Sequence, residues 1–93
     1  MTYEEFLALD SAHIESLPPA LAALALDRSE RWEAAHERAA DEESQETNRV
    51  HAYLHRKEGN TANAKYWYDR VGEPMPQVSP EEEWTSLVRR FLK

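Results

Sequence analysis

Apolar and polar positions alternate with a helical period along nearly the whole chain, and the clearest example is Val50–Val71, VHAYLHRKEGNTANAKYWYDRV. At about 100° per residue, Val50, Tyr53 and Leu54 fall on one stripe, and His51, His55 and Glu58 form a polar ridge along its flank. Gly59 can take the left-handed conformation that closes a helix, and Asn60 or Thr61 can accept the first free N–H groups of the next. In that second helix Ala64, Trp67, Tyr68 and Val71 share a face, while Asn63, Tyr66 and Arg70 lie on the outer side. Gly72, Pro74 and Pro76 end it. The stretch therefore predicts an antiparallel helical hairpin with an unusually polar and aromatic inner surface.

The same punctuation places the remaining elements. Met1–Asp10 reads as a short helix opened by Thr2, with Glu5 completing a capping box. Pro18 and Pro19 suit the first turn of an Ala/Leu helix over Ala20–Leu26, hydrophobic nearly all round and hence buried. Asp27 and Ser29 offer caps for a helix running to about Glu42, whose stripe of Trp32, Ala35, His36 and Ala39 puts His36 near a helix crossing. Ser44 or Thr47 can cap the helix that carries His51 and His55. Residues 73–79 form a proline-containing linker, and Ser79-Pro80-Glu81-Glu82 is a strong helix start. Trp84, Leu87, Val88 and Phe91 then share one face of a last helix. No Val/Ile/Thr-rich alternating run predicts a strand. The expectation is one all-α domain over residues 1–93, with five or six short helices in consecutive antiparallel hairpins.

The pattern Gly59-Asn60-x-x-x-Ala64-x-x-x-Tyr68-x-x-Val71 resembles the second helix of a tetratricopeptide repeat. Arg31-Trp32-Glu33-Ala34-Ala35 has a similar character about 29 residues earlier, against the roughly 34 of that family. His51 and His55 depart from it, standing where the repeat's first helix carries a leucine and an aromatic. The combination WEAAH, VHAYLHRKEG and NAxYWYxR also resembles a small bacterial all-helical family of uncharacterised proteins. The first resemblance implies a tetratricopeptide-like stacking of the middle helices; the second covers roughly half the chain and implies no activity.

Composition narrows the function classes. At 93 residues there is room for one core. Eleven Lys and Arg against eighteen Asp and Glu give a net charge of −7, and the basic residues are scattered, which argues against nucleic acid as a partner. The absence of cysteine removes disulfide and thiol chemistry and suits a cytoplasmic protein. Leu17–Leu26 is the most apolar run, but it contains two prolines and is too short to span a bilayer, so neither a membrane segment nor a signal peptide is expected. With two glycines there is no phosphate-binding loop, and no Gly-x-Ser-x-Gly elbow is present.

Three constellations carry candidate chemistry. His51-x-x-x-His55-x-x-Glu58 sets two imidazoles and a carboxylate on one side of a helix, as a divalent transition metal requires, and His36 on the neighbouring helix can join them. The alternative is that these side chains are helix-flank groups satisfied by Tyr, Asp or backbone partners. Glu33-x-x-His36 is the carboxylate–imidazole step of di-iron bundles, though only one copy is present. Tyr53, Tyr66, Trp67, Tyr68, Arg56 and Arg70 combine aromatic and guanidinium groups, as binding surfaces do and as small helical cores do.

Two functional expectations follow. The leading one is a small binding module, open to self-association as a homodimer, in which His36, His51, Tyr53, His55, Arg56, Tyr66 and Arg70 meet a protein, a peptide or a small ligand without a cofactor. The other is a metal-binding helical protein with His51, His55 and Glu58 as ligands to a divalent transition metal. No catalytic residue is assigned.

Overall fold

A computed structural model describes residues 1–92 and contains, among these, seven α-helices and no strand: α1 (Tyr3–Leu7), α2 (Ser11–Ile14), α3 (Pro19–Arg28), α4 (Trp32–Asp41), α5 (Gln45–Glu58), α6 (Thr61–Val71) and α7 (Pro80–Phe91). The chain is all-α, as its periodicity predicts. Local signals account for most boundaries. The Thr2 hydroxyl accepts from the Glu5 N–H while the Glu5 carboxylate accepts from the Thr2 N–H, a complete capping box. Ser44 and Thr47 form the same reciprocal pair at α5. Gly59 closes α5 at φ 94° and Gly72 closes α6 at φ 76°, conformations in which a Cβ is strained. Ser79 caps α7, with Pro80 in its first turn.

Among the described residues there are seven helices where five or six were expected, and two boundaries differ. The first ten residues do not make one helix: α1 stops at Leu7, and Asp10 caps α2 by accepting from the His13 N–H. Asp27 is not a cap for α4 but lies inside α3, buried, and α4 starts after Arg31 with no side-chain cap. The turn between them is closed by Glu30 at φ 62°, where glycine or asparagine would ordinarily be found.

Helix α5 is the central element, packing against α3, α4, α6 and α7. The two-residue turn at Gly59 and Asn60 folds α6 back along it. Helix α7 returns to pack on both α3 and α5, closing the bundle, whereas repeats in an open solenoid touch only their sequence neighbours. Residues 73–79 are tied to this body: Glu73 binds Arg49 and Arg90, and the Val78 carbonyl accepts from Arg56. The main core joins Phe6, Leu21, Leu24, Val50, Leu54, Trp84, Leu87 and Val88. Trp84 donates its indole N–H to the Leu24 carbonyl at 2.9 Å, fixing α7 on α3.

Two carboxylates lie within this interior. Glu83, 2% exposed, accepts from the Tyr68 hydroxyl and from Arg56 Nη1 at 2.8 Å, with Arg49 Nη1 2.7 Å away in an ion pair that is not aligned as a hydrogen bond. Asp27, also 2% exposed, accepts from the Tyr53 hydroxyl at 2.6 Å and from Lys57 Nζ at 2.8 Å. Burial, and then the carboxylate each one faces, pushes both phenols well above their ordinary pKa. These paired groups fix α5 and α6 against α3 and α7, since a buried charge is tolerated only when it is partnered.

Candidate metal centre

The side of α5 turned towards α4 and α6 gathers the histidines. His51 and His55, one turn apart on α5, are buried, and His36 reaches them from α4, half-buried. One ring nitrogen from each lies within 4.8 Å of the others. His51 Nε2 stands 3.1 Å from His55 Nε2. The opposite nitrogen of His55, Nδ1, meets the Glu58 carboxylate at 2.8 Å. With Nδ1 donating to Glu58, the Nε2 lone pair of His55 faces the centre, the arrangement by which an outer carboxylate orients a metal-bound imidazole.

Two tryptophans enclose the cluster. The Trp32 ring stacks on His36 with centroids 5.1 Å apart and planes within 12°, and its indole N–H donates to the Leu54 carbonyl at 2.9 Å, anchoring the start of α4 on α5. Trp67 of α6 stacks on His51 at 4.0 Å and 16°. Arg70 lies over the outer face of Trp67, 5.1 Å from its centroid. A continuous column thus runs from Trp32 through the imidazoles to Trp67 and Arg70. Asn63, one turn before Trp67 on α6, brings its side-chain amide nitrogen to 3.4 Å from His55 Nε2.

The surroundings favour the neutral form of His51 and His36. Burial, then repulsion from the rings of His36 and His55, pushes His51 down to about 4. Burial and the neighbouring His55 also hold His36 below its usual value, partly opposed by Glu58 and Glu37. A neutral ring has the free lone pair that coordination needs. Nitrogens bound to a tetrahedral zinc, with bonds of about 2.0–2.1 Å, lie about 3.3 Å apart, so the widest pair here has at most about 1.5 Å to close. The donor set therefore fits a first-row divalent ion in both chemistry and placement.

The residues singled out in the sequence separate into two groups. His36, His51 and His55 come together; Glu58, expected as a ligand, is not among the converging donors but sits on the outer nitrogen of His55, and Tyr66 and Arg70 lie at the outer end of the same column. Tyr66 is 56% exposed and edge-on to Trp67, and Arg70 also pairs with Glu43 at 2.9 Å. Tyr53 and Arg56 belong instead to the carboxylates of the opposite side: Tyr53 is 2% exposed on Asp27, and Arg56 binds Glu83. Glu33 is exposed and does not join the converging set. Asn63 is not on the outer side with Tyr66 but half-buried beside His55. The part played by Trp32 at the cluster was not legible in its apolar stripe; its position one turn before His36 was the available signal.

The chain matches none of the protein families, curated proteins or solved structures with which it was compared. Among the described residues, no helix is long and apolar enough to cross a membrane.

Proposed function

We propose that the chain is a small helical metal-binding protein in which His36, His51 and His55 hold one divalent first-row transition ion and Glu58 orients His55. The observation that carries this reading is the convergence of three ring nitrogens within 4.8 Å, next to a carboxylate bonded to the outer nitrogen of one of them. Imidazole donors suit zinc, copper, nickel and iron, and among divalent ions affinity rises towards copper. Because the ligands come from α4 and α5, a bound ion would clamp those helices and raise stability by mass action. The test is a thermal melt of tag-free protein in chelator and then in excess zinc or nickel. A rise of several degrees that disappears in both His51→Ala and His55→Ala supports the reading, and no rise with any metal removes it.

A second reading, a contact surface for a protein or peptide, is favoured by one observation. Tyr66 is 56% exposed at the end of the aromatic column, beside Arg70 and Glu43. An aromatic ring flanked by a guanidinium is a common anchor at interfaces. Loss of self-association or partner capture in Tyr66→Ala, with the melt unchanged, would support it.

A further inference from the structure

Resting on the metal-binding reading, we infer that Asn63 of α6 supplies the fourth donor of the centre through its side-chain carbonyl oxygen, so that four protein ligands from three helices enclose the ion.

The geometry starts from His55 Nε2. His51 Nε2 lies 3.1 Å from it and the Asn63 amide head 3.4 Å from it, both near the roughly 3.3 Å that separates neighbouring donors around a tetrahedral ion. The Asn63 amide presents its nitrogen to His55 Nε2. A half-turn of the terminal amide exchanges nitrogen for oxygen at nearly the same place, because the two ends are close to isosteric. A cation on His55 Nε2 repels the N–H and attracts the carbonyl oxygen, so binding selects the turned amide.

The backbone of Asn63 is fixed in the first turn of α6, where its N–H donates to the Asn60 side chain at 3.2 Å. Trp67, four residues on and therefore on the same face, stacks on His51. Helix α6 thus brings both a donor and an apolar cover to a cluster otherwise built from α4 and α5. Four protein donors characterise closed sites that retain a metal, whereas catalytic sites leave a position open. The centre is accordingly assigned to retention or sensing of the ion, with binding coupled to the docking of α6.

Cobalt(II) is the probe, because the visible absorption of the bound ion reports its coordination directly. The full chain is stripped with chelator and titrated with cobalt(II), alongside Asn63→Ala and Asn63→Asp. Neither substitution removes the backbone N–H that Asn60 caps, and circular dichroism checks that α6 persists. The wild type is expected to give a four-coordinate spectrum. Asn63→Ala should shift that spectrum as water takes the vacated position and weaken binding about tenfold or more. Asn63→Asp should retain binding, its carboxylate oxygen standing at the same vertex. Wild-type binding with spectrum and affinity unchanged in Asn63→Ala overturns the assignment of Asn63 while leaving the histidine centre standing. Loss of binding in Asn63→Asp comparable to that in Asn63→Ala also overturns it. No cobalt uptake by the wild type overturns the metal-binding reading and this inference together.

Discussion

His51 Nε2 and His55 Nε2 face each other at 3.1 Å across one turn of α5. In the neutral Nδ1–H tautomer of His55, with Nδ1 donating to Glu58, Nε2 carries a lone pair, and the hydrogen between the two rings is then on His51. A divalent ion draws on both Nε2 lone pairs once the His51 proton sits on its other ring nitrogen, so binding exchanges one neutral tautomer of His51 for the other. The buried polar contact and the proposed metal centre are thus two states of one pair of nitrogens, distinguished by what lies between them.

The Glu58 carboxylate acts at one remove, by fixing the ring orientation of His55. Glu58→Gln should keep the fold and weaken zinc binding by about 10–100-fold, the usual cost of losing an outer carboxylate. Calorimetric titration against the wild type measures this. An unchanged affinity would mean that Glu58 plays no part in orienting the imidazole.

The second buried network predicts a different phenotype. Glu83 faces Arg49 and Arg56, and Glu83→Ala would strip the buried partner from both guanidiniums, leaving Arg49 only Glu73 and Arg56 only the Val78 carbonyl. Breaking such a pair from one side destabilises by about 3–5 kcal/mol. Urea unfolding should show this loss in metal-free protein. In any fraction that remains folded the histidine centre should still bind metal, because Glu83 lies on the other side of α5.

Acid should destabilise the metal-free protein through the histidines. Below pH 6.5 the unfolded chain takes up a proton at His51 that the folded chain refuses until about 4, so the stability conferred by the neutral ring is present above that window and lost across it. After allowance for solvent screening the effect is about 2 kcal/mol. The groups facing His51 are His36 from α4, His55 from its own helix and the uncharged Trp67 from α6. His51→Gln should flatten the decline in urea midpoint between pH 7 and pH 4.5; an unaltered slope would show that His51 protonates freely in the folded state. The Glu73 carboxylate, held below its usual pKa by Arg90 and Arg49 against the opposing effect of burial, adds a loss at lower pH that His51→Gln leaves in place.

The surface end of the column should behave as surface. Tyr66 is more than half exposed, and Tyr66→Ala should change stability by no more than about 0.5 kcal/mol, as expected away from core, cap and ion-pair sites. A large drop in the urea midpoint would place Tyr66 in the packing of α6.

What the sequence revealed and what it hid divide along physical lines. Caps and breakers act within four residues, so Thr2, Ser44, Gly59, Asn60 and Ser79 were readable directly. The ridge of His51, His55 and Glu58 was readable too, because helical spacing alone sets it. His36 could be placed only near a crossing, since its meeting with the ridge depends on how α4 lies against α5. Asn63 and Trp67 depend in the same way on the pitch of α6, and helical phase assigned Asn63 to the wrong side. The buried carboxylates were the largest omission. Glu83 precedes Leu87 by four residues on the apolar stripe of α7, and Asp27 follows Leu24 by three at the end of the buried run of α3. A charge in register with a core face was the available signal, but its partners Arg49, Tyr53, Arg56, Lys57 and Tyr68 come from other helices.

The most direct test of the metal centre is the stoichiometry and affinity of zinc for the chelator-stripped full chain, measured by calorimetry at pH 7 and compared with His36→Ala, His51→Ala and His55→Ala. The geometry predicts one ion per chain, with each substitution reducing affinity sharply while circular dichroism stays helical. Heat no greater than the buffer blank, or binding that survives all three substitutions, would contradict it and leave the histidines as a packed polar cluster between α4, α5 and α6.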